Sequence, residues 1–77
     1  MNEIKSEGIS IYVNNVDDAR IIGNDVESNQ NSGGAIFVNA STNGIVSLNN
    51  IKQPTNPRVS DVGNTNITLI NNVTSTI

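Results

Sequence analysis

Ile22-Gly23-Asn24-Asp25-Val26 recurs as Ser47-Leu48-Asn49-Asn50-Ile51 and again as Leu69-Ile70-Asn71-Asn72-Val73. Each block carries an asparagine-bearing pair followed at once by Val or Ile. A slide of 25 residues superposes Gly8 on Gly33, Ile11 on Ile36, Val13 on Val38, Asn14 on Asn39 and Asn24 on Asn49. Tyr12 on Phe37 and Ile21 on Val46 fall in the same register. A second slide, of 22, superposes Ile45 on Ile67, Asn49 on Asn71, Asn50 on Asn72 and Ile51 on Val73. With 15 asparagines in 77 residues, asparagine matches arise by accident; the apolar and glycine matches carry the argument. Self-similarity at such a period is the signature of stacked repeats.

Within each period the apolar clusters are short. They predict strands at residues 8–13 and 20–22, at 34–38 and 45–48, and at 59–62 and 67–70. No apolar stripe keeps helical spacing over a useful length. Isoleucine and valine supply 19 residues and leucine only two, which favours pleated strands over helices. With 14% charged and 35% hydrophobic residues, the composition is not that of a disordered chain. Gly33-Gly34 and Asn43-Gly44 punctuate as turns. Residues 52–58 hold both prolines and predict an insertion bulging from the repeat. Asn43-Gly44 also leaves open an antiparallel hairpin between 36–38 and 45–48. A meander, however, does not require self-similarity, whereas a coil that returns each strand above its equivalent does. The expected architecture is therefore all-β, a parallel solenoid of about three coils at 8–32, 33–58 and 59–77. Residues 1–7 precede it as an N-terminal cap or extension.

The blocks around Asn24, Asn49-Asn50 and Asn71-Asn72 resemble those of right-handed parallel β-helices of the pectate-lyase type. The repeat carrying the likeness covers residues 8–74, nearly the whole chain. In that fold each coil gives short strands to parallel sheets, and asparagines at one turn stack into a hydrogen-bonded ladder. The resemblance implies a ladder at Asn24, Asn49 and Asn71, with Asp25, Asn50 and Asn72 as the competing register. Ordinary turn usage of asparagine is the plainer explanation for the same residues. The fold serves polysaccharide lyases, hydrolases and epimerases as well as phage tailspikes and pre-neck appendage proteins. The Asn/Ile-rich, histidine-free composition is most similar to the phage group, and fold likeness alone does not fix function.

Tyr12 and Phe37 share one column in the 25-residue register. If Ile11, Val13, Ile36 and Val38 point inward, alternation turns both aromatics outward. There they form a candidate subunit interface or ligand surface; with the parity reversed they belong to the core.

The missing residue types exclude several chemistries. Without cysteine there is no disulfide framework, thiol nucleophile or zinc knuckle. Without histidine there is no Ser-His-Asp triad, and the commonest general base and metal ligand is gone. Asp17-Asp18 is the only adjacent acidic pair, and hydrolysis needs two carboxylates across the scissile bond. Approach of Asp17 or Asp18 to Asp25 or Asp61 would require stacking of coils, and solvated turn acids are the simpler reading. The expectation is no enzyme, no catalytic residue, no metal and no cofactor. Net charge is −3, and Lys5, Arg20, Lys52 and Arg58 are scattered, so nucleic acid is not an expected partner. Nothing approaches a membrane span. The opening residues lack the apolar core of a signal peptide, so the sequons at Asn39, Asn66 and Asn72 are read as incidental.

A domain this small buries only roughly 60% of its unfolded surface and is marginal without a staple. Support from other chains is therefore expected: a homo-oligomer, a trimer by the resemblance, or the rest of a longer β-helix. The leading expectation is a structural module of a phage-type tail fibre, tailspike or appendage, located in the virion and serving host adsorption. The alternative is a carbohydrate-active β-helix that binds or cleaves a host surface polysaccharide.

Overall fold

Ten strands and no helix make up the described residues, 2–77, of the computed structural model. In chain order they are β1 (Glu3–Ser6), β2 (Ile11–Asn14), β3 (Arg20–Ile22), β4 (Asp25–Ser28) and β5 (Ile36–Asn39), followed by β6 (Thr42–Ser47), β7 (Asn50–Gln53), β8 (Val59–Val62), β9 (Thr65–Ile70) and β10 (Val73–Thr76). Every third strand returns to the same sheet. Sheet A is β1-β4-β7-β10, sheet B is β2-β5-β8 and sheet C is β3-β6-β9. All ladders are parallel, so the chain is a β-solenoid of about three turns and the hairpin at Asn43-Gly44 does not form. Asn43 and Gly44 instead lie inside β6, where Asn43 takes a positive φ of 54°.

The 25-residue register holds in all three sheets: Tyr12 pairs with Phe37, Ile21 with Val46, and Val26 with Ile51. The second slide needs correction. Ile36 pairs with Val59, Ile45 with Thr68 and Asn50 with Val73, a step of 23 rather than 22. The cause lies at one corner. Spacing from sheet B to sheet C repeats unchanged, as Asn14–Arg20, Asn39–Ile45 and Val62–Thr68 in register. Spacing from sheet C to sheet A is always two residues: Gly23-Asn24, Leu48-Asn49 and Asn71-Asn72. Only the corner from sheet A to sheet B varies, spanning residues 7–10, then 29–35, then 54–58. The proline segment is thus a shortened corner, not an insertion, and Lys52 and Gln53 belong to β7.

Alternation sorts the side chains. Ile4, Val26 and Ile51 stack inward from sheet A, Ile11, Ile36 and Val59 from sheet B, and Ile21, Val46 and Leu69 from sheet C. Stacked strands lie about 4.8 Å apart, so equivalent β-branched side chains rest directly on one another. Ile21, Val26, Ala35, Ile36, Val38, Val46 and Ile51 form the buried core. Six of the seven come from the middle of the stack, and Ile21 lies on the edge strand β3. No residue from 61 to 77 is buried. The N-terminal extension contributes β1, which pairs along its length with β4 and opens sheet A.

Candidate interaction surfaces

The two-residue corner between sheets C and A holds the asparagine ladder. Asn2 donates from Nδ2 to Oδ1 of Asn24 at 3.3 Å, Asn24 to Asn49 at 3.1 Å, and Asn49 to Asn72 at 3.0 Å. Asn49 Oδ1 also accepts the Asn24 backbone N–H at 2.9 Å, and Asn72 Oδ1 accepts that of Asn49 at 3.2 Å. Asn24 and Asn49 therefore stand where the sequence predicts them. The third rung is Asn72, not Asn71. Gly23, Leu48 and Asn71 form the column before it, with φ of 71°, 58° and 57°. The left-handed residue turns the chain out, and the next residue's amide points in. Asn2, a rung above the predicted ladder, has its signal at a step of 22 from the first block: Asn2-Glu3-Ile4 matches Asn24-Asp25-Val26, and Ser6 falls on Ser28.

A second polar column closes the corner between sheets B and C. Val16 N–H donates to Ser41 Oγ at 3.1 Å, and Ser41 N–H donates to Asn64 Oδ1 at 2.7 Å. The logic matches the ladder: each coil's side chain receives the backbone donor of the coil before it. At the third corner Gln53, fully buried, accepts from Ala35 N–H at 2.9 Å and Arg58 N–H at 3.0 Å through Oε1. Its Nε2 donates to Gly33 O at 3.0 Å. Among the described residues no buried side-chain polar atom lacks a partner. These columns fix the cross-section of the coil and leave its outer faces free to vary.

On sheet B, Tyr12 and Phe37 do face outward. Their rings meet edge to face, with centroids 5.6 Å apart and an interplanar angle of 82°, and Tyr12 is 58% exposed. Ser60 continues the column below Phe37, so the aromatic surface is two rings long. An edge-on pair offers one ring edge, not a flat platform. On sheet A the outward column Lys5–Glu27–Lys52 alternates in sign and lines two shallow grooves with Glu3, Asp25 and Glu7.

The acidic residues are dispersed. Asp18 pairs with Arg20 at 3.2 Å on an exposed corner. Asp17 accepts from Thr42 Oγ1 at 3.1 Å and Asn43 Nδ2 at 3.2 Å. Asp25 lies on sheet A and Asp61 on sheet B, where Asn64 donates to it. Stacking brings Asp17 to Thr42 and Asn43, not to a second carboxylate. Among the described residues no group of three His, Cys, Asp or Glu side chains is placed to hold a metal ion.

The two ends of the stack remain. β1, β2 and β3 form one open edge, and β8, β9 and β10 form the other. No protein-family model, curated protein or solved structure matches the chain.

Proposed function

We propose that the chain is a structural, self-assembling module of a β-solenoid rod. It belongs to the type used in phage tail fibres, tailspikes and appendages, and it stabilises a homo-oligomer that serves host adsorption. The strand edges left unpaired within this chain, at β1, β2 and β3 and at β8, β9 and β10, carry this reading, because they call for further coils from another copy or from the rest of a longer β-helix. Unpaired edges are normally covered, bent away or charged, and repeat stacks end in polar caps. Here the last coil presents Leu69 at 42% and Val73 at 61% exposure instead. The polar columns supply what such a module needs: a stiff, narrow coil whose backbone donors are satisfied by the next coil. The trimer implied by the family likeness would set three such rods side by side in the virion.

Native mass spectrometry at micromolar concentration tests the proposal. A folded homo-oligomer is the expected result, and a folded monomer at that concentration overturns it.

The outward Tyr12–Phe37 pair favours a second reading, a carbohydrate-binding face for a surface polysaccharide. The exposed Tyr12 ring and its hydroxyl together offer a small apolar contact with a polar handle. A screen against bacterial surface glycans separates the two. Retention that falls with Tyr12→Ala and Phe37→Ala supports the glycan reading, and absence of binding removes it.

A further inference from the structure

Asn43-Gly44, the dipeptide expected to turn a hairpin, sits instead in β6, the middle strand of sheet C. Of the 15 asparagines, only Asn43 precedes a glycine. Packing imposes that glycine. A Cβ on Gly44 would lie 2.8 Å from Ala19 O and 2.9 Å from Ile67 Cδ1. Asn43 takes a left-handed φ of 54°, in one column with Asp18 at 62° and Asn66 at 60°. Asn and Asp tolerate that region better than other residues with side chains. Stacking thus forces on the chain its most reactive peptide link.

The chemistry is intramolecular. The Gly44 backbone nitrogen, unshielded by a side chain, gives its proton to hydroxide and bonds to Asn43 Cγ. The Cγ–Nδ2 bond breaks, Nδ2 leaves as ammonia with a proton from water, and a five-membered succinimide remains. Water then opens the ring. Attack at Cγ gives aspartate, and attack at the main-chain carbonyl gives isoaspartate, in which the backbone runs through Cβ. No electrons are exchanged, and water is the one co-reactant.

The folded coil blocks the first step in two ways. In the left-handed region ψ is about +47°, which turns Asn43 Cβ to the carbonyl-oxygen side of the peptide, away from Gly44 N. Ring closure needs Cβ and that nitrogen eclipsed, so the peptide must rotate by about half a turn. Its flanks are tied down: Asp18 N–H donates to Thr42 O at 2.9 Å and Ile45 N–H to Ala19 O at 2.9 Å. The side-chain amide is held at both ends as well. Nδ2 donates to Asp17 Oδ1 at 3.2 Å, and Oδ1 accepts from Asn66 Nδ2 at 2.8 Å. Asp17 belongs to the coil before and Asn66 to the coil after.

The same partners make the products a poor fit to the stack. Aspartate at this position faces the Asp17 carboxylate where a donor stood. Isoaspartate adds a main-chain atom between Thr42, paired with Asp17 and Thr65, and Gly44, paired with Ile67. One flank must then leave its register.

We propose that Asn43 is a deamidation site gated by opening of the coil. It is closed while Asp17, Asn43 and Asn66 stack, reactive once that corner opens, and a bar to re-closing after it has reacted. The modification makes opening of the solenoid irreversible, whether or not the chain assembles with copies of itself.

Peptide mapping by mass spectrometry reads the amide-to-acid conversion at Asn43 in mildly alkaline buffer. The folded chain is expected to convert at least about tenfold more slowly than the chain unfolded in urea. Asp17→Ala and Asn66→Gly release the amide at exposed positions. Each is expected to speed conversion at least about threefold while circular dichroism stays that of wild type. That gain should not change in dilute urea, because local release exposes little surface and global unfolding much. Asn43→Asp is expected to lower the urea midpoint, and Asp17→Asn in the same chain, which swaps acid and amide, to restore it. Equal rates in the folded and unfolded chains overturn the proposal. So do released variants that convert no faster than wild type, a gain that climbs with urea, or a midpoint that the swap fails to restore.

Discussion

A single oxygen of Asn49 serves Asn24 twice, taking its backbone N–H at 2.9 Å and its side-chain Nδ2 at 3.1 Å. The other end of the same amide donates to Ile21 O at 3.0 Å and to Asn72 Oδ1 at 3.0 Å. Asn49 is fully buried, so water cannot replace it. Both donors and both acceptor sites it serves belong to neighbouring coils or corners, and the residue ties three turns together.

Replacing it is expected to be costly. Asn49→Ala orphans several buried polar groups, each worth about 1–3 kcal/mol, and a loss of at least about 3 kcal/mol is expected. Asn71→Gly keeps the left-handed conformation and removes no rung, so it is expected to change stability by less than about 0.5 kcal/mol. Urea unfolding at matched protein concentration compares the two, since any self-association makes stability concentration-dependent. Equal costs would put the ladder register at Asn71 after all.

The difference between those two asparagines was not legible in the sequence. The blocks at 24, 49 and 71–72 announce the coil, because glycines and β-branched residues recur with them. Choosing the rung requires the step between coils, and that step is set by the corner 54–58, two residues shorter than 29–35. Corner length leaves no periodic trace when the corner is built from Pro, Asn and Thr. Sheet A was missed for a related reason. Its inward positions include Ser28, Gln53 and Thr76, so the alternation of apolar and polar residues that marks β2 and β5 is absent. The aromatic pair was the most readable feature, since the undisturbed 25-residue register brings Tyr12 to Phe37.

Leu48 is the one leucine of the left-handed column, with φ 58° and 62% exposure. A side chain branched beyond Cβ gains nothing there, and an L-residue other than Gly or Asn in this region is strained by about 1–2 kcal/mol. Leu48→Asn or Leu48→Gly is therefore expected to stabilise the fold by about 1 kcal/mol. A thermal shift of several degrees upward is the readout, at about 4–8 °C per kcal/mol for a domain of this size. An unchanged or lowered midpoint would mean that Leu48 makes an outward contact that offsets its strain.

Gly34 and Gly8 make a contrasting pair. A Cβ on Gly34 would lie 2.7 Å from Ser60 N and closer still to Arg58 O, both backbone atoms of the next coil. Its N–H donates to Ser60 Oγ at 2.6 Å, so the approach is part of the stack. Gly34→Ala must push coils apart and is expected to cost about 2 kcal/mol or more. Gly8 has nothing within 4 Å and no positive φ, so Gly8→Ala is expected to be neutral or to stabilise by about 0.5 kcal/mol. Denaturant midpoints of the two variants check the sign difference directly.

Gln53 provides the sharpest local test, because one side chain holds the whole variable corner. Its Oε1 receives Ala35 N–H and Arg58 N–H, and its Nε2 reaches Gly33 O. These partners sit in the corners 29–35 and 54–58, which lack ladder bonds along most of their length. Gln53→Leu keeps the buried volume and removes the polar atoms, so packing is preserved while two backbone donors are left unpaired. A global loss of about 2–4 kcal/mol is expected. Amide exchange gives the decisive readout: Ala35 and Arg58 should lose protection far more than Val26 and Val46 at the centre of the stack. Local opening precedes global unfolding wherever few interactions hold a segment. A uniform drop in protection would show instead that the corner is held by its neighbours, with Gln53 as one contributor among several.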